Sequence, residues 1–469
     1  MESYFLGRQP ILDRNQNLVA YELLFRQEQT QETARVTDDL SASANVIVNA
    51  YGRFGIQNVL GQQRGVVSGI APRASIAAYK ALGNSGGLTS DLVSAIDQAV
   101  ADGVDIINYS IGSTFLTDPY QSPDSLAFLD AYRAGVFVAA SAGNNGPAAS
   151  TLDSPANAPW VMTVAASTTD ERFVGKLTVR AGGQTLTLSG ASITGGILNR
   201  PLVYAAALGV PLCDGPLPAA ARGAIVLCQR GVNPRVEKGS NVRISGGVGM
   251  ILYNPEPADV VSDNHWLPAV HIDTPAANQL LAFLAAHTSQ PVTADISGGK
   301  AVLDSQSADQ IAAFSSRGPL PTEQLGISKP DIAAPGVQIL AGQTPQPNTP
   351  GAGPPGQFFQ AIAGTSMAAP HVAGAGALLR ALHPDWTPGQ IKSALMTTAR
   401  TGVLKEDGRT LATPYDTGAG RLDLRNAGDP GLTIDAPASA FTSLAAHLYA
   451  VNYPSISLPI MPGRQSVAR

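Results

Sequence analysis

Ser366 stands in the run GTSMAAPHVAG, Gly364 to Gly374, and is the candidate nucleophile of this sequence. The run reads as a helix, and the amides of a helix's first turn have no intrahelical partner. An anion beside the Ser366 oxygen would be stabilised there. Gly364 permits a tight, unhindered turn just before the serine. Pro370 is expected in the first turn, where its missing N–H costs nothing. A serine hydroxyl also needs a base to take its proton. His371 follows five residues later, which on a helix is about 140° round and about 7.5 Å along. It cannot reach Ser366 from there, and the first of the six histidines in the chain is His265.

GTSMAAPHVAG closely resembles the serine signature of the subtilisin-like serine peptidases, the subtilases. The resemblance implies peptide-bond hydrolysis with Ser366 as nucleophile. In SAGNNG, Ser141 to Gly146, Asn144 takes the place of the family's oxyanion-hole asparagine, whose amide donates to the negative oxygen of the tetrahedral intermediate. The same Asn-Asn-Gly text is also an ordinary turn. Ser110, Ile111 and Gly112 match the segment whose backbone pairs with an extended substrate, and Gly143 joins them as substrate-binding. The triad further requires an Asp in an Asp-Ser/Thr-Gly motif and a His in a His-Gly-Thr-His helix start, both ahead of Gly65. Neither motif occurs there. Asp416-Thr417-Gly418 imitates the first, but lies in the text matching the end of the catalytic domain.

These residues need a scaffold. Ala74–Leu82, Val104–Gly112, Gly135–Gly146 and Trp160–Ser167 are mostly apolar, strand-like runs. A helix is expected between the first two, with Ser90 as its N-cap, Asp91 in its first turn and Leu92, Ala95, Ile96 and Ala99 on one face. Apolar strands alternating with helices predict an α/β fold, a parallel sheet covered on both faces. Chemistry then gathers at the carboxyl ends of the strands. The small residues after Ser366, among them Ala368, Ala369, Ala373 and Gly376, would let its helix lie close against that sheet. Thr387-Pro388-Gly389-Gln390 reads as a capping box opening another helix.

The remaining text divides the 469 residues. FLGRQPILDRNQNLVAYELLFR, Phe5 to Arg26, resembles the opening of an EAL domain, the bacterial cyclic di-GMP phosphodiesterase fold. That resemblance implies a metal at Glu22 and a phosphate at Arg26, while a plain hairpin accounts for the same residues without chemistry. The barrel needs about 250 residues, so residues 1–62 are expected to be an incomplete EAL-like fragment. Residues 63–174 and 303–428 read as two parts of a subtilase catalytic domain. The insert at 175–302 resembles the protease-associated domain, on the text Gly223–Asn254 and His265–Asp273. Residues 429–469 resemble the start of a fibronectin-like C-terminal domain. Cys213 and Cys228, 15 apart, are a disulfide candidate if the chain is exported. His265 and His271, with Asp263 and Asp273, are read as loop and strand-end residues and not as metal ligands.

With 14% charged residues, 48 glycines, 35 prolines and a net charge of −5, the chain has the profile of a loop-rich enzyme of the exported type. It offers no basic run for nucleic acid and no apolar run long enough to cross a bilayer. The family implies secretion, although MESYFLGRQPILDRN is no signal peptide, which as written would leave the chain cytoplasmic. The expected partner is a peptide or protein substrate. No cofactor is expected; calcium and oligomeric state are left open. The expected activity is a serine endopeptidase severely impaired by its missing Asp and His motifs. The alternatives are a peptide-binding pseudopeptidase, and a cyclic di-GMP signalling fragment or artefactual fusion.

Overall fold

The computed structural model describes the backbone of residues 5–12 and 18–26, and residues 68–83, 86–321, 326–458, 463–464 and 466–467. β1 (Phe5–Leu12) and β2 (Leu18–Arg26) form an antiparallel hairpin with Gln9 opposite Glu22. The side chains of Glu22 and Arg26 fall outside the described residues, as do residues 27–67.

From Ser68 the chain makes a separate unit. Ala74–Leu82 forms no strand, contrary to expectation. A strand needs a ladder partner, and among the described residues none lies alongside it; Ile76 is 87% exposed. α1 (Thr89–Ala101) is capped by Leu88 and not Ser90, and the Asp91 carboxylate accepts the Leu88 N–H at 3.4 Å. Then come β3 (Ile106–Tyr109), α2 (Pro123–Arg133), β4 (Phe137–Ser141) and β5 (Met162–Ser167).

A seven-strand ring interrupts this pattern. It contains β6 (Glu171–Ala181), β7 (Gln184–Ala191), β8 (Ile197–Tyr204), β9 (Ile225–Gln229), α3 (Arg235–Ile244), β10 (Gly249–Tyr253), β11 (Ala269–Ile272), α4 (Thr274–Ala286) and β12 (Thr293–Ile296). β12 pairs with both β8 and β6, which closes the ring, and β13 (Lys300–Leu303) adds to β6. Leu177, Leu227, Ile251 and Ile296 share one core of this body. A second core, around Val226, Val242 and Met250, contains the disulfide between Cys213 and Cys228, with Cα atoms 5.8 Å apart. Closing a 15-residue loop contributes about 3 kcal/mol. Among the described residues no group of three or more His, Cys, Asp or Glu could hold a metal ion.

The first pattern resumes with β14 (Ile332–Pro335), the hairpin β15 (Ile339–Gly342) and β16 (Phe359–Ile362), α5 (Thr365–Leu382) and α6 (Pro388–Thr397). The sheet order is β14-β5-β4-β3, all parallel. Alternate residues of β4 serve different cores. Phe137 and Ala139 meet Val372 and Leu379 of α5, while Val138 and Ala140 meet Phe128 and Tyr132 of α2. This period of two with both faces buried is what a parallel sheet between helix layers requires. At Gly376 a Cβ would come within 2.8 Å of the Phe137 ring, so glycine there sets how closely α5 lies on the sheet.

The segment after 428 contains no strand among its described residues. It forms helical turns at Ala438–Ser443 and Ala445–Ala450, and Phe441, Leu448, Val451 and Tyr453 enter the α2-side core. Tyr453 Oη donates to Asp331 Oδ1 at 2.7 Å. The other oxygen of Asp331 accepts from Lys329 Nζ at 2.6 Å, Lys392 Nζ at 2.9 Å and Thr163 N at 2.7 Å. Burial alone would raise the Asp331 pKa, but the two ammonium groups outweigh it and hold the carboxyl below its usual range.

Candidate active site

The carboxyl ends of β3 and β4 and the start of α5 meet at Ser366. The hydroxyl of Ser366 donates to the carbonyl of Ser110 at 3.3 Å, and the hydroxyl of Ser110 donates to the carbonyl of Ser366 at 2.9 Å. Pro370 is the sixth residue of α5 and not in its first turn. Its ring removes the N–H that would have bonded the Ser366 carbonyl four residues back. Ser110 supplies a replacement donor from another strand end.

Asn144 reaches the same helix start. Its Oδ1 accepts from Thr365 N at 2.9 Å and from Thr365 Oγ1 at 3.0 Å, so an asparagine from β4's end caps α5 in place of a residue of the helix's own. With Oδ1 held twice, the amide nitrogen is turned away from Thr365. A Cβ built on Gly364 would lie 3.8 Å from that nitrogen. Gly364 itself has φ 166°, an extended conformation open to any residue, so the expected glycine-dependent turn is absent. The glycine that needs its freedom is Gly143, at φ +107°, whose N–H donates to Thr365 Oγ1 at 3.2 Å. Thr365 is fully buried and ties Gly143, Asn144 and the helix together. No sequence motif singles out Thr365 beyond its place beside Ser366.

Of the remaining substrate-segment residues, Ile111 packs against the α2-side core and Gly112 is exposed. A Cβ on Gly112 would meet the side chain of Asp153 at 3.0 Å, and one on Gly143 would meet it at 2.5 Å. Asp153 was not among the residues that sequence motifs picked out. It lies between the two segments, largely buried, with Oδ1 accepting from Asn145 Nδ2 at 2.7 Å.

The described residues include all six histidines, and none is hydrogen-bonded to Ser366. His371 Nδ1 donates to its own helix at Met367 O, 2.8 Å away. His271 is held by Asn254 and the Val261 backbone, His287 by Phe283 O and His383 by Gly428 O. His265 lies 4.0 Å from Asp263, and His447 stacks edge-on with Tyr449. Asp416 ion-pairs with Arg317 at 2.8 Å and accepts from Thr413 N at 2.7 Å, a helix-start role far from Ser366 in function.

The chain matches the profile of the Subtilase family over residues 47–424, a span that begins ahead of the boundary expected at 62/63 and runs through the ring-shaped insert. It is 41% identical over 413 residues to Subtilisin-like protease SBT1.6 of Arabidopsis thaliana, covering 82% of this chain and 52% of that one. It is 40% identical over 432 residues to Subtilisin-like protease SBT1.4 of the same plant, covering 88% and 53%. Against Subtilisin-like protease SBT3 of Solanum lycopersicum it is 35% identical over 445 residues, covering 89% and 56%. The chain spans about half the length of the curated relatives it matches. On the profile match and the identities, this chain belongs to the subtilase family of serine peptidases.

Proposed function

We propose that this chain binds extended peptides at Ser110–Gly112 and carries the parts of a peptide-bond hydrolase, Ser366 as nucleophile and the Asn144 amide as oxyanion donor, but turns substrate over very slowly. The observation carrying this reading is the pair of Thr365 bonds to Asn144 Oδ1, which hold the oxygen end of that amide at the helix start and leave its nitrogen as the end able to donate to a developing negative charge. The slow turnover follows from the base. Ser366 donates to a carbonyl and not to an imidazole, and a hydroxyl without a base is not activated. In subtilisin itself, loss of the histidine lowers kcat by about 10⁶, a magnitude taken over and not obtained from this chain. Peptide binding can outlast that loss, because β3, outermost in its sheet among the described residues, runs directly into Ser110.

Residues 175–302 are read as a protease-associated insert and 1–62 as an EAL-like fragment joined to the peptidase, a chimera without cyclic di-GMP signalling of its own. Continuous nucleotide reads across codons 60 to 65 would support a true fusion. The disulfide at Cys213–Cys228 supports an exported setting.

The deciding experiment is turnover of a chromogenic peptide, expected below about one part in 10⁵ of an intact relative. An N-terminal segment bearing the Asp and His motifs, placed ahead of Gly65, should restore cleavage, and Ser366→Ala should then abolish it. Cleavage by the unaltered chain that survives Ser366→Ala would remove Ser366 from the reaction.

A further inference from the structure

The loop that carries Asn144 is supported from two sides. α5 holds it on one side through the Thr365 hydroxyl. On the other lies the turn at residues 312–316, joined to the loop by three hydrogen bonds. Gly146 N donates to Phe314 O at 2.8 Å, Asn145 N to Ser316 Oγ at 3.0 Å, and Ser316 N to Gly143 O at 3.0 Å. The fit is close, since a Cβ built on Gly146 would come within 2.1 Å of Ser315 O and 2.8 Å of Ala313 O. A displacement of this turn therefore displaces the Asn144 loop with it.

Backbone groups in a buried turn each need a partner. The carbonyls of Ala312 and Ser315 accept from the Arg317 guanidinium at 3.2 and 3.0 Å. Ala312 N donates to Ala166 O of β5, and Ser315 N to Ala312 O within the turn. The two residues between them turn to the ring-shaped insert. Ala313 N donates at 2.9 Å to Oδ2 of Asp259, in the loop between β10 and β11, and the Phe314 N–H also bonds to this carboxylate. The loop is itself anchored in the insert, because Arg230 donates to the Asp259 carbonyl at 2.9 Å and to Asn254 Oδ1 at 3.3 Å. Farther along it, Asn264 and Trp266 donate to Phe359 O and Pro350 O of the β15–β16 hairpin instead. Burial pushes the Asp259 carboxyl up, and the N–H groups of Ala313 and Phe314, with Arg230, offset that only in part. Bonds from backbone N–H groups to a desolvated carboxylate are among the stronger ones a turn can have.

We propose that Asp259 is a positioning residue for the oxyanion donor: from the insert it fixes the turn at 312–316, and that turn fixes the loop bearing Asn144. The inference rests on Asn144 as the donor and adds a role for the insert, whose loop sets how firmly that donor is held.

The link can be read in the chain as it exists by amide hydrogen exchange resolved to single residues. Asp259→Ala should speed exchange at Asn145 and Gly146 about tenfold, the size of one lost hydrogen bond to a charged group. Exchange at Ile251, in the core of the insert, should stay within about twofold. Asp259→Asn keeps an oxygen that can accept from Ala313 N and should recover most of the protection. Where Asp259→Ala fails to fold, Asp259→Glu, whose longer stem misplaces the carboxylate, takes its place. Unchanged exchange at Asn145 and Gly146 overturns the inference, and so does an equal rise at Ile251, which would mean general loosening.

A second readout separates this from the reading beneath it. Hydrolysis of a peptidyl p-nitrophenyl ester, whose leaving group departs without a proton, reports the oxyanion contribution that survives loss of the base. Asp259→Ala should lower the rate above buffer by about threefold to tenfold, and by less than about 1.5-fold in an Asn144→Ala background. A rate that Asn144→Ala lowers and Asp259→Ala does not overturns the role of Asp259 alone. A rate indifferent to Asn144→Ala removes the oxyanion reading itself, and this inference with it.

Discussion

The hydroxyl of Ser110 donates to the carbonyl of Ser366, the one helix carbonyl that Pro370 deprives of its donor. The candidate nucleophile is thus fixed by a bond from a residue 256 positions earlier in the chain. Ser110→Ala should leave that part-buried carbonyl without its donor and lower stability by about 1 to 2 kcal/mol. In a Pro370→Ala background the helix regains its own N–H, so the same Ser110→Ala change should cost markedly less. Denaturant titration of the four proteins gives the coupling directly, and additive costs would show that Ser110 and Pro370 are unrelated.

Tyr453 ties the segment after 428 to the buried charges around Asp331. Tyr453→Phe keeps the ring over Lys392, at 4.5 Å, and removes only the donor to Asp331. A lost hydrogen bond to a buried charge predicts a fall of about 2 kcal/mol in unfolding free energy. A change below about 0.5 kcal/mol would mean that the segment beyond 428 is held by apolar packing alone.

How far these features were legible in the sequence depends on how local their causes are. The capping box at Thr387 and Gln390 is written in four residues and formed as read, with Thr387 N to Gln390 Oε1 at 2.9 Å and Gln390 N to Thr387 Oγ1 at 3.1 Å. The buried strands were likewise legible, because runs such as Phe137–Ser141 carry their own burial pattern. Ala74–Leu82 is as apolar as they are and forms no strand, since a strand's existence is decided by a partner elsewhere in the chain. Proline costs nothing in a helix's first turn, which is where local sequence alone puts Pro370; Ser110, remote in sequence, makes its later position tolerable. Asp153 belongs to no motif, and only the approach of Gly112 and Gly143 in space brings it to the site. The Asn144 cap on Thr365 is of the same kind.

The ring-shaped insert should lose stability on mild acidification. Burial pushes His265 down to about 4 and His271 down to about 3, from an ordinary value of about 6.5. His271 Nδ1 accepts from Val261 N at 3.0 Å, so a proton cannot be added without breaking that bond. The unfolded chain takes up these protons near pH 6.5 while the folded chain refuses them until about pH 4. Their contribution is therefore complete above pH 6.5 and shrinks as pH falls, by about 1.4 kcal/mol per pH unit for each histidine. Denaturation midpoints at pH 7.0, 5.5 and 4.5 read the slope, which His271→Gln should make shallower. An unchanged slope in that variant would remove His271 from the effect.

Thr365 offers the sharpest check on the arrangement at Ser366. Its hydroxyl both accepts from Gly143 N and donates to Asn144 Oδ1, so one oxygen orients the proposed oxyanion donor and the strand end beside it. Thr365→Val keeps the volume and removes both bonds, while the Thr365 N–H to Asn144 remains. In the chain supplied with Asp and His motifs, kcat should fall by about tenfold, less than the 10²–10³ lost when an oxyanion donor is deleted outright. KM should stay within about twofold, because the ground-state contacts at Ser110–Gly112 are untouched. Thr365→Ser keeps the hydroxyl and should recover most of kcat at some cost in stability from the missing methyl. If valine and serine behave alike, the hydroxyl does not position Asn144, and the threonine matters only as packing at the start of the helix.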